Sequence, residues 1–320
     1  MEPVTAQDVH DAATRIQGHV VRTPLTVGPD TDRPFLVKPE SLQPTGAFKL
    51  RGATNALALL DGDRRERGVV THSSGNHGLA LTLAAVREGV ACTVVVPEGA
   101  PETKVYRIRA LGARVVVVPP AERESAVEDL VAKEGATFVS PFDDRRVIAG
   151  QGTVGLEILE QSPDVTTIVV PVGGGGLASG VVTAAWTVRP RRVRVVGVEP
   201  ELAADAAESL REGRRIPWEP ERTYRTMADG VRVCLSDLTF AHLRDRLDAI
   251  VTVTEEEIAE GVRALAHGSR LVAEPSGALS TAALLSGKVE TIPGRPEATV
   301  AVLSGGNIDP DLFVRLVEPD

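Results

Sequence analysis

Short apolar runs that alternate with amphipathic stretches constrain the fold of this chain more than any other feature. The runs are rich in Val, Ile and Thr, and they span residues 69–71, 93–96, 115–118, 137–139, 167–172, 193–198 and 299–303. Continuous apolar strands are typical of parallel sheets with helices on both faces. Helical patterns lie between them at 79–87, 102–111, 125–134 and 148–161. This order predicts an α/β protein, and the number of strands favours two sheets over one.

Three further segments have recognisable local patterns. Thr254 and Glu257 have capping-box spacing, which predicts a helix that runs to about residue 266. The alternating charges of 64–67 indicate a solvated loop or helix end. Segment 211–226 is rich in charge, proline and tryptophan, so we expect an irregular surface connection there.

Composition excludes several classes of protein. The 320 residues carry a net charge of −9 with no basic block and only 3% aromatic residues, which argues against nucleic acid as a partner. No apolar run approaches the roughly 18 residues needed to cross a membrane, and the first residues lack the features of a secretory signal. Cys92 and Cys234 have no disulfide or metal-ligand pattern, so we interpret both as small buried side chains. A cytoplasmic protein without membrane or nucleic-acid partners is expected.

Glycine-rich segments follow three of the predicted strands, at 72–78, 172–177 and 303–307. Ligand sites of parallel sheets lie at the carboxyl ends of strands, so the three segments could meet at one cleft. Folding the run from Gly173 to Gly176 into one conformation costs more backbone entropy than folding an ordinary turn, which needs fewer glycines. Its amides could form a nest for a phosphate group.

The same run leaves a second class of enzyme open. Gly173, Gly175, Ala178 and Glu199 loosely match the dinucleotide-binding fingerprint. From this region alone, a nicotinamide-dependent oxidoreductase is therefore an alternative.

Lys49 is the candidate catalytic residue. Most lysines are solvated surface groups. This one follows the bulky apolar Phe48 and begins an apolar helical stretch. A desolvated amine in such a place could lose its proton and form a Schiff base.

Seven segments in the same order closely resemble the fold-type II pyridoxal-phosphate (PLP) enzymes, in particular their serine/threonine dehydratase and serine racemase branch. They are residues 22–25, 45–53, 73–78, 147–153, 173–176, 274–278 and 303–307. The resemblance covers nearly the whole chain. It implies a two-domain fold like that of the tryptophan synthase β-subunit, with the cofactor in the cleft between two mostly parallel sheets flanked by helices. Residues 1–49 and 143–320 would form the large domain, and 50–142 a small mobile domain.

The resemblance also implies roles for individual residues in the cofactor site. Lys49 would carry PLP as a Schiff base, and Phe48 would pack against the cofactor ring. The ring hydroxyl would contact Asn76, the ring nitrogen would face Ser304, and Glu274 would belong to the same site. The phosphate would be bound by Gly173, Gly174, Gly175, Gly176 and Leu177.

A small amino acid is the substrate that the resemblance implies. Ser73, Ser74, Asn76 and His77 would bind it through its carboxylate. Lys49 would remove the α-proton, so that L-threonine or L-serine is converted to a 2-oxo acid and ammonia. Ser74 would lie on the opposite face, where a serine of the racemases handles a proton. Serine racemase, hydroxyaspartate dehydratase and a PLP-binding homologue without catalysis are therefore alternatives.

The resemblance also implies a site for a divalent cation and a dimeric assembly. Glu199, Asp205 and the Ala203 carbonyl would bind Mg²⁺ or Ca²⁺, for which an oxygen shell is suitable. The alternative is an acidic turn after a strand. A homodimer is also implied.

Departures from the racemase pattern bear on specificity. Phe142 stands where racemase relatives have asparagine, and Val233 where they have serine; both predict an apolar pocket that favours the threonine methyl group. Ala47 replaces a common serine without a clear effect. Arg123 aligns loosely with an arginine near the substrate, which keeps hydroxyaspartate open. The chain stops soon after residue 307, so a C-terminal regulatory domain and isoleucine feedback are not expected.

Overall fold

Two separate β-sheets organise the computed structural model, which describes residues 2–29, 32–100, 102–188 and 192–318. Ten strands lie within these ranges: β1 (Thr26–Val27), β2 (Leu36–Pro39), β3 (Val69–Thr71), β4 (Cys92–Pro97), β5 (Arg114–Val118), β6 (Thr137–Phe138), β7 (Thr167–Pro171), β8 (Arg194–Pro200), β9 (Ala249–Val253) and β10 (Thr299–Leu303).

Strand order confirms the predicted pair of mostly parallel sheets. The first sheet has the order β1-β2-β10-β7-β8-β9, and the second has the order β5-β4-β3-β6. Every pair is parallel except β1 with β2, an antiparallel pair at the edge of the first sheet. Parallel neighbours require crossovers, and the helices between the strands supply them.

Fourteen α-helices occur in the described ranges: α1 (Ala6–Ile16), α2 (Lys49–Ala58), α3 (Gly62–Arg67), α4 (Asn76–Arg87), α5 (Glu102–Ala110), α6 (Arg123–Glu134), α7 (Arg145–Gln161), α8 (Gly176–Val188), α9 (Asp205–Glu212), α10 (Pro220–Thr223), α11 (Asp237–Arg246), α12 (Glu255–Gly268), α13 (Pro275–Leu285) and α14 (Pro310–Val317). The capping box predicted at Thr254 is confirmed, because its hydroxyl accepts from the Glu257 amide at 3.2 Å and the Glu257 carboxylate accepts from the Thr254 amide at 2.8 Å. In the described part of the chain, no helix is long and apolar enough to span a membrane.

Helices cover both faces of each sheet. The first sheet is packed against α1, α7, α8 and α11 on one face and α12, α13 and α14 on the other. The second sheet is packed against α2, α4 and α5 on one face and α6 on the other. This double burial explains why β3, β7 and β10 are buried at every residue and read as continuous apolar runs. Edge strands are more exposed: Val27 of β1 is 71% exposed and Val117 of β5 is 49% exposed.

The structure differs from the sequence-based expectations at several places. Strands β1, β2 and β9 were not predicted, since β1 has two residues and β2 contains Lys38 and Pro39. Segment 211–226 contains the short helix α10 instead of being wholly irregular. Cys92 is buried as expected, whereas Cys234 is only partly buried, because its thiol lies at the surface connection and exchanges hydrogen bonds with the backbone of Trp218.

Candidate active site

The three glycine-rich segments meet at one cleft, as the sequence predicts. Two of them follow β7 and β10, which are neighbours in the first sheet. The third follows β3 of the second sheet, and the side chain of its Asn76 contacts residues at the edge of the first sheet. The Asn76 amide donates to the Glu274 carboxylate at 2.6 Å and accepts from the Asn307 amide at 2.7 Å. Residues of both sheets therefore line the same space.

Lys49 is the first residue of α2, and its side chain is partly buried in this cleft. Its amine donates to the Pro141 carbonyl at 2.8 Å and lies 4.9 Å from the centre of the Phe48 ring. Burial lowers the pKa of the amine to about 8, although the Glu274 carboxylate opposes the shift. An amine with this pKa exchanges protons readily near neutral pH.

The segment before Lys49 is fastened to the end of β10. The Phe48 amide donates to the Ser304 carbonyl at 3.0 Å, and the Asn307 side chain donates to the Thr45 carbonyl at 2.7 Å. Gly46 has a φ of +75°, and a Cβ there would lie 2.6 Å from the Asn307 side-chain oxygen. Only glycine fits this turn. Together with the hydrogen bonds to Ser304 and Asn307, the turn holds the backbone before Lys49 in one conformation.

The tetraglycine forms a backbone cradle in which added side chains would collide with neighbouring residues. A Cβ on Gly173 would lie 2.7 Å from Val231, and a Cβ on Gly174 would lie 2.5 Å from the Phe142 ring. Gly175 has a φ of +84°, which favours glycine for conformational reasons as well. Helix α8 begins directly afterwards, and the N-terminus of a helix attracts anions. A phosphate group fits this cradle.

A carboxyl group and a hydroxyl face the same edge of the cleft. Burial, and secondly the charge of Asp229, raise the pKa of the Glu274 carboxyl to about 7. A Cβ on Gly305 would overlap this carboxylate, so glycine is required beside it. Ser304 is buried, and its hydroxyl donates to the Ser276 carbonyl at 3.5 Å. A neutral hydroxyl and a readily protonated carboxyl therefore flank the site.

The predicted substrate loop contains one side chain that faces away from the cleft. Ser73 and Ser74 are partly buried between β3 and α4, and the Ser73 hydroxyl accepts from the Gly75 amide at 3.4 Å. His77 is buried, with its Nε2 atom 3.0 Å from the Val139 carbonyl oxygen. Burial, and secondly the charge of Lys49, lower the pKa of His77 to about 3. Its imidazole is therefore neutral at physiological pH.

The residues expected to set specificity lie in different surroundings. Phe142 packs against the tetraglycine, since its ring and backbone would contact a Cβ on Gly174 or on Gly176. Val233 is 46% exposed. Arg123 begins α6, and its Nε atom is buried without a hydrogen-bond partner in the described part of the chain.

Two buried carboxylates lie at the carboxyl end of β8, Glu199 within the strand and Asp205 at the start of α9. Glu199 accepts from the Ala206 and Ala207 amides at 3.0 and 2.8 Å, and Asp205 accepts from the Leu235 amide at 3.3 Å. Burial raises the pKa of Asp205 to about 6; burial and the charge of Asp205 raise that of Glu199 well above its usual range. The second oxygen of Asp205 has no hydrogen-bond partner among the described residues.

Contacts from α5 close one side of the cleft, and no pattern in the sequence predicts them. Lys104 of this helix pairs with Asp229 at 2.7 Å, and Arg107 donates to Asn307 at 3.0 Å. Asn307 lay within a recognised motif, but nothing in its spacing indicated contacts with Thr45, Asn76 and Arg107. Partners more than a hundred residues apart leave no local pattern.

Comparison with known proteins identifies the family. The sequence profile of the pyridoxal-phosphate dependent enzyme family matches residues 16–305. The serine racemase of Arabidopsis thaliana is 40% identical over 309 residues, 94% of this chain and 92% of that protein. The L-threonine ammonia-lyase of Thermotoga maritima is 42% identical over 323 residues, 98% of this chain and 78% of that protein. The solved T.th. threonine deaminase has a TM-score of 0.88 and 40% identity, covering 95% of this chain and 99% of its own.

The chain therefore belongs to the pyridoxal-phosphate dependent enzymes. It has the two-sheet fold of that family, whose cofactor is PLP and not a dinucleotide. The nicotinamide-dependent alternative is thereby wrong.

Proposed function

We propose that this protein is a threonine/serine ammonia-lyase, which converts L-threonine or L-serine to a 2-oxo acid and ammonia. The observation that carries the proposal is the position of the Lys49 amine. It is desolvated, and it lies in a cleft with the glycine cradle, Asn76 and Glu274. The names of the T. maritima ammonia-lyase and the T.th. deaminase support the same reaction.

The residues of the cleft fit PLP by shape and chemistry. The cradle of Gly173 to Gly176, with the Leu177 amide and the N-terminus of α8, would hold the phosphate. Phe48 would pack against the ring, while Asn76 and Ser304 would contact its polar atoms. When bound, PLP stabilises negative charge at the α-carbon of an amino acid.

Proton transfer is the task of Lys49 in this proposal. A general base works best when its pKa is near the operating pH, and the amine meets that condition. It would take the proton from the α-carbon while hydroxide leaves the β-carbon. Water then hydrolyses the dehydrated product to a 2-oxo acid and ammonia.

The substrate carboxylate would lie at the loop of Ser73, Ser74 and Asn76, where α4 begins. A helix N-terminus and small polar side chains suit a carboxylate. The neutral and buried imidazole of His77 supplies no positive charge, so His77 would contribute through its backbone only.

An assay of the holoenzyme tests this function. L-threonine, L-serine and hydroxyaspartate are supplied separately, and oxo acid, ammonia and both enantiomers of the remaining substrate are followed. We expect oxo acid release to exceed racemisation. A protein that interconverts L- and D-serine faster than it releases pyruvate would be a racemase instead.

Serine racemase is the second candidate, favoured by the similarity to the Arabidopsis thaliana protein and by Ser74. A racemase needs a proton donor on each face of the α-carbon, whereas elimination from one enantiomer needs only one base. We propose that Ser74 lies on the face opposite Lys49.

Replacement Ser74→Ala is expected to remove racemisation while L-threonine elimination survives at a reduced rate. The reduction follows because the same loop positions the carboxylate, and small misplacements cost rate. The measurement is the ratio of racemised substrate to oxo acid. Ser73→Ala is the matched control, which should lower both reactions together; an unchanged ratio in Ser74→Ala would remove the role of Ser74.

Threonine is expected to be a better substrate than hydroxyaspartate. The apolar Phe142 and Val233 would receive the methyl group, and a second carboxylate is costly in apolar surroundings. The unpartnered Nε atom of Arg123 favours the opposite outcome, since a guanidinium binds carboxylates well. The ratio of kcat/KM values for the two substrates decides between them.

We propose that Glu199, Asp205 and the Ala203 carbonyl bind Mg²⁺ or Ca²⁺. Support comes from the two adjacent buried carboxylates, whose pKa values are raised by burial and, for Glu199, also by the charge of Asp205. The unpartnered oxygen of Asp205 supports it as well. In the described ranges no group of three or more His, Cys, Asp or Glu side chains could hold a metal. Backbone oxygen and water would therefore complete the shell.

Chelation is expected to lower the Tm of the wild type, because a ligand that binds only the folded state stabilises it by about 2.7 kcal/mol at about a hundredfold excess over Kd. The metal-free protein should lose stability as pH rises from the ordinary Asp205 pKa of 3.8 through about 6, since an acid with a raised pKa in the folded state favours folding only while protonated. Added Mg²⁺ or Ca²⁺ should offset this loss.

Two variants control the metal experiment. Asp205→Ala should make the protein insensitive to chelator, whereas Glu201→Gln changes an exposed acid of the same turn and should not. If the wild type ignores chelator and Asp205→Ala is silent, the segment is only an acidic turn.

We further propose a large domain of residues 1–49 and 143–320, a small mobile domain of 50–142, and a cytoplasmic homodimer. The separate hydrophobic cores of the two sheets support the domain division, although Val147 packs into the core of the second sheet. The half-exposed Leu42 and Val272 offer apolar surface for a second copy. Light scattering of the holoenzyme tests the assembly.

A further inference from the structure

A cluster of four buried charges lies directly behind Lys49. Its members are Lys38, Glu40, Arg51 and Glu157; the first three have no exposed surface, and Glu157 is 9% exposed. They belong to β2, to the turn that follows it, to α2 and to α7. The cluster therefore ties the helix that begins with Lys49 to the first sheet.

Arg51 is the centre of this cluster. Its guanidinium donates to both oxygens of Glu40 at 2.7 Å and to the two oxygens of Glu157 at 2.6 and 2.9 Å. A planar guanidinium meets a carboxylate through two parallel hydrogen bonds in one relative orientation. Burial alone would raise the pKa of Glu40, but the charge and hydrogen bonds of Arg51 outweigh it and hold that pKa below its usual range. Both partners are therefore charged at neutral pH.

Glu40 and Arg51 stand at the two ends of the segment that carries Lys49. They are 11 residues apart in sequence, and Lys49 precedes Arg51 by two. Between these ends, the backbone of Gly46 and Phe48 is hydrogen-bonded to the segment after β10. The pairing of Glu40 with Arg51 and the backbone hydrogen bonds of Gly46 and Phe48 together hold the first turn of α2 in one position.

Hydrogen bonds of Arg51 help to fix the register of α2 along α7. A Cβ on Gly150 of α7 would lie 2.7 Å from the Cα of Gly52 of α2, so the two backbones touch. Such contact determines the distance between helices, but it does not stop one helix from sliding along the other. The paired hydrogen bonds from Arg51 to Glu157 keep their geometry in one register only. The Gly52 amide, which donates to Gln151, and the Asn55 side-chain amide, which donates to the Arg146 carbonyl, support the same register.

Stability alone does not account for such a cluster. The cost of removing buried charges from water offsets most of their attraction, so apolar side chains of similar size would often serve as well. The orientation imposed on α2 is the property that apolar side chains would not provide. We propose that Arg51 and Glu40 are positioning residues, which hold the Lys49 amine at the α-carbon of the substrate; this rests on the proposed function of Lys49 as a base.

Two conservative variants test the proposal. Glu40→Gln keeps the size of the side chain but removes its charge and one accepting oxygen. Arg51→Lys keeps the charge but cannot form the paired hydrogen bonds. In both we expect kcat for L-threonine to fall by about tenfold or more while KM stays within about twofold, as a small misplacement of a catalytic group predicts.

A second readout does not depend on turnover. In the cofactor-free protein, the Lys49 amine is labelled with an amine-selective acylating reagent at fixed pH, and the labelled peptide is quantified by mass spectrometry. We expect the labelling rate to change several-fold in both variants, because the amine leaves its contact with the Pro141 carbonyl. The visible absorption of the holoenzyme should change as well.

Lys38→Met is the matched control. It removes an equally buried charge from the same cluster, on the far side of Glu157, and leaves the pairing of Glu40 with Arg51 in place. Its Tm should fall, because Glu157, Gln161 and the Thr23 carbonyl lose their buried donor, while kcat and the labelling of Lys49 stay near the wild-type values.

Several outcomes would overturn the proposal. Equal losses of kcat in Lys38→Met and Glu40→Gln at equal Tm would show a purely structural cluster, as would failure of both test variants to fold. Wild-type kcat and labelling in Glu40→Gln would do the same. If the wild type releases no oxo acid from any β-hydroxy amino acid, the proposed function fails, and the labelling comparison still decides whether the cluster positions Lys49.

Discussion

Replacement Lys49→Ala is expected to abolish turnover of L-threonine and L-serine and to remove the visible absorption of covalently bound cofactor. General-base catalysis by a positioned side chain is worth about 10²–10⁴-fold, and loss of the covalent link to the cofactor adds to it. We therefore expect a decrease of at least about 10³-fold in kcat/KM. Steady-state release of oxo acid and the absorption spectrum of the purified protein are the measurements.

The same replacement should not destabilise the cofactor-free protein. The Lys49 amine has a lowered pKa because burial disfavours its charged form, so the charged amine is less stable in the folded protein than in water. We expect the Tm of cofactor-free Lys49→Ala to equal or exceed that of the wild type. Lys49→Arg is the control for charge, since a guanidinium remains protonated, and it should be equally inactive. Appreciable activity in either variant would contradict the role of Lys49.

Replacement Gly175→Asp is expected to expel the cofactor. A carboxylate about 4 Å from a phosphate costs about 4 kcal/mol per pair of unit charges near a protein surface, which is about a thousandfold in affinity. Steric conflict adds to this, because a Cβ would lie 2.7 Å from Leu235 and the backbone has a φ of +84°. Titration of the cofactor-free variant with PLP, followed by absorbance, measures the loss.

Two further glycine variants separate the causes. Gly175→Ala carries the steric conflict without the charge, so it should bind PLP more weakly than the wild type but better than Gly175→Asp. Gly18→Asp places the same residue at a similar φ of +80° with nothing within 4 Å, and it should keep wild-type affinity. Unchanged affinity in Gly175→Asp would place the phosphate elsewhere.

Much of the candidate site could be predicted because its chemistry is local in sequence. Lys49 follows Phe48 directly, and the four glycines are consecutive, so short windows contain the residues that act together. Strands such as β7 and β10 could be predicted for the same reason, since burial on both faces leaves an uninterrupted apolar run. The meeting of the glycine-rich segments followed from one rule about parallel sheets.

Other elements escaped prediction because tertiary contacts override local preference. In β2, Lys38 interrupts the apolar run, and it is buried because Glu157, Gln161 and the Thr23 carbonyl surround its amine. Helix α13 is buried on nearly every side, so it has no polar face whose period could be recognised.

The sequence by itself determined the class of fold, and it singled out the lysine segment and the glycine run as candidates for the cofactor site. Only the tertiary structure decided which charges meet: Arg51 with Glu157 at a separation of 106 residues, and Asn76 with Glu274 at 198. The physical reason is that a hydrogen bond depends on distance in space. Spacing along the chain reports that distance only within one helix, strand or turn.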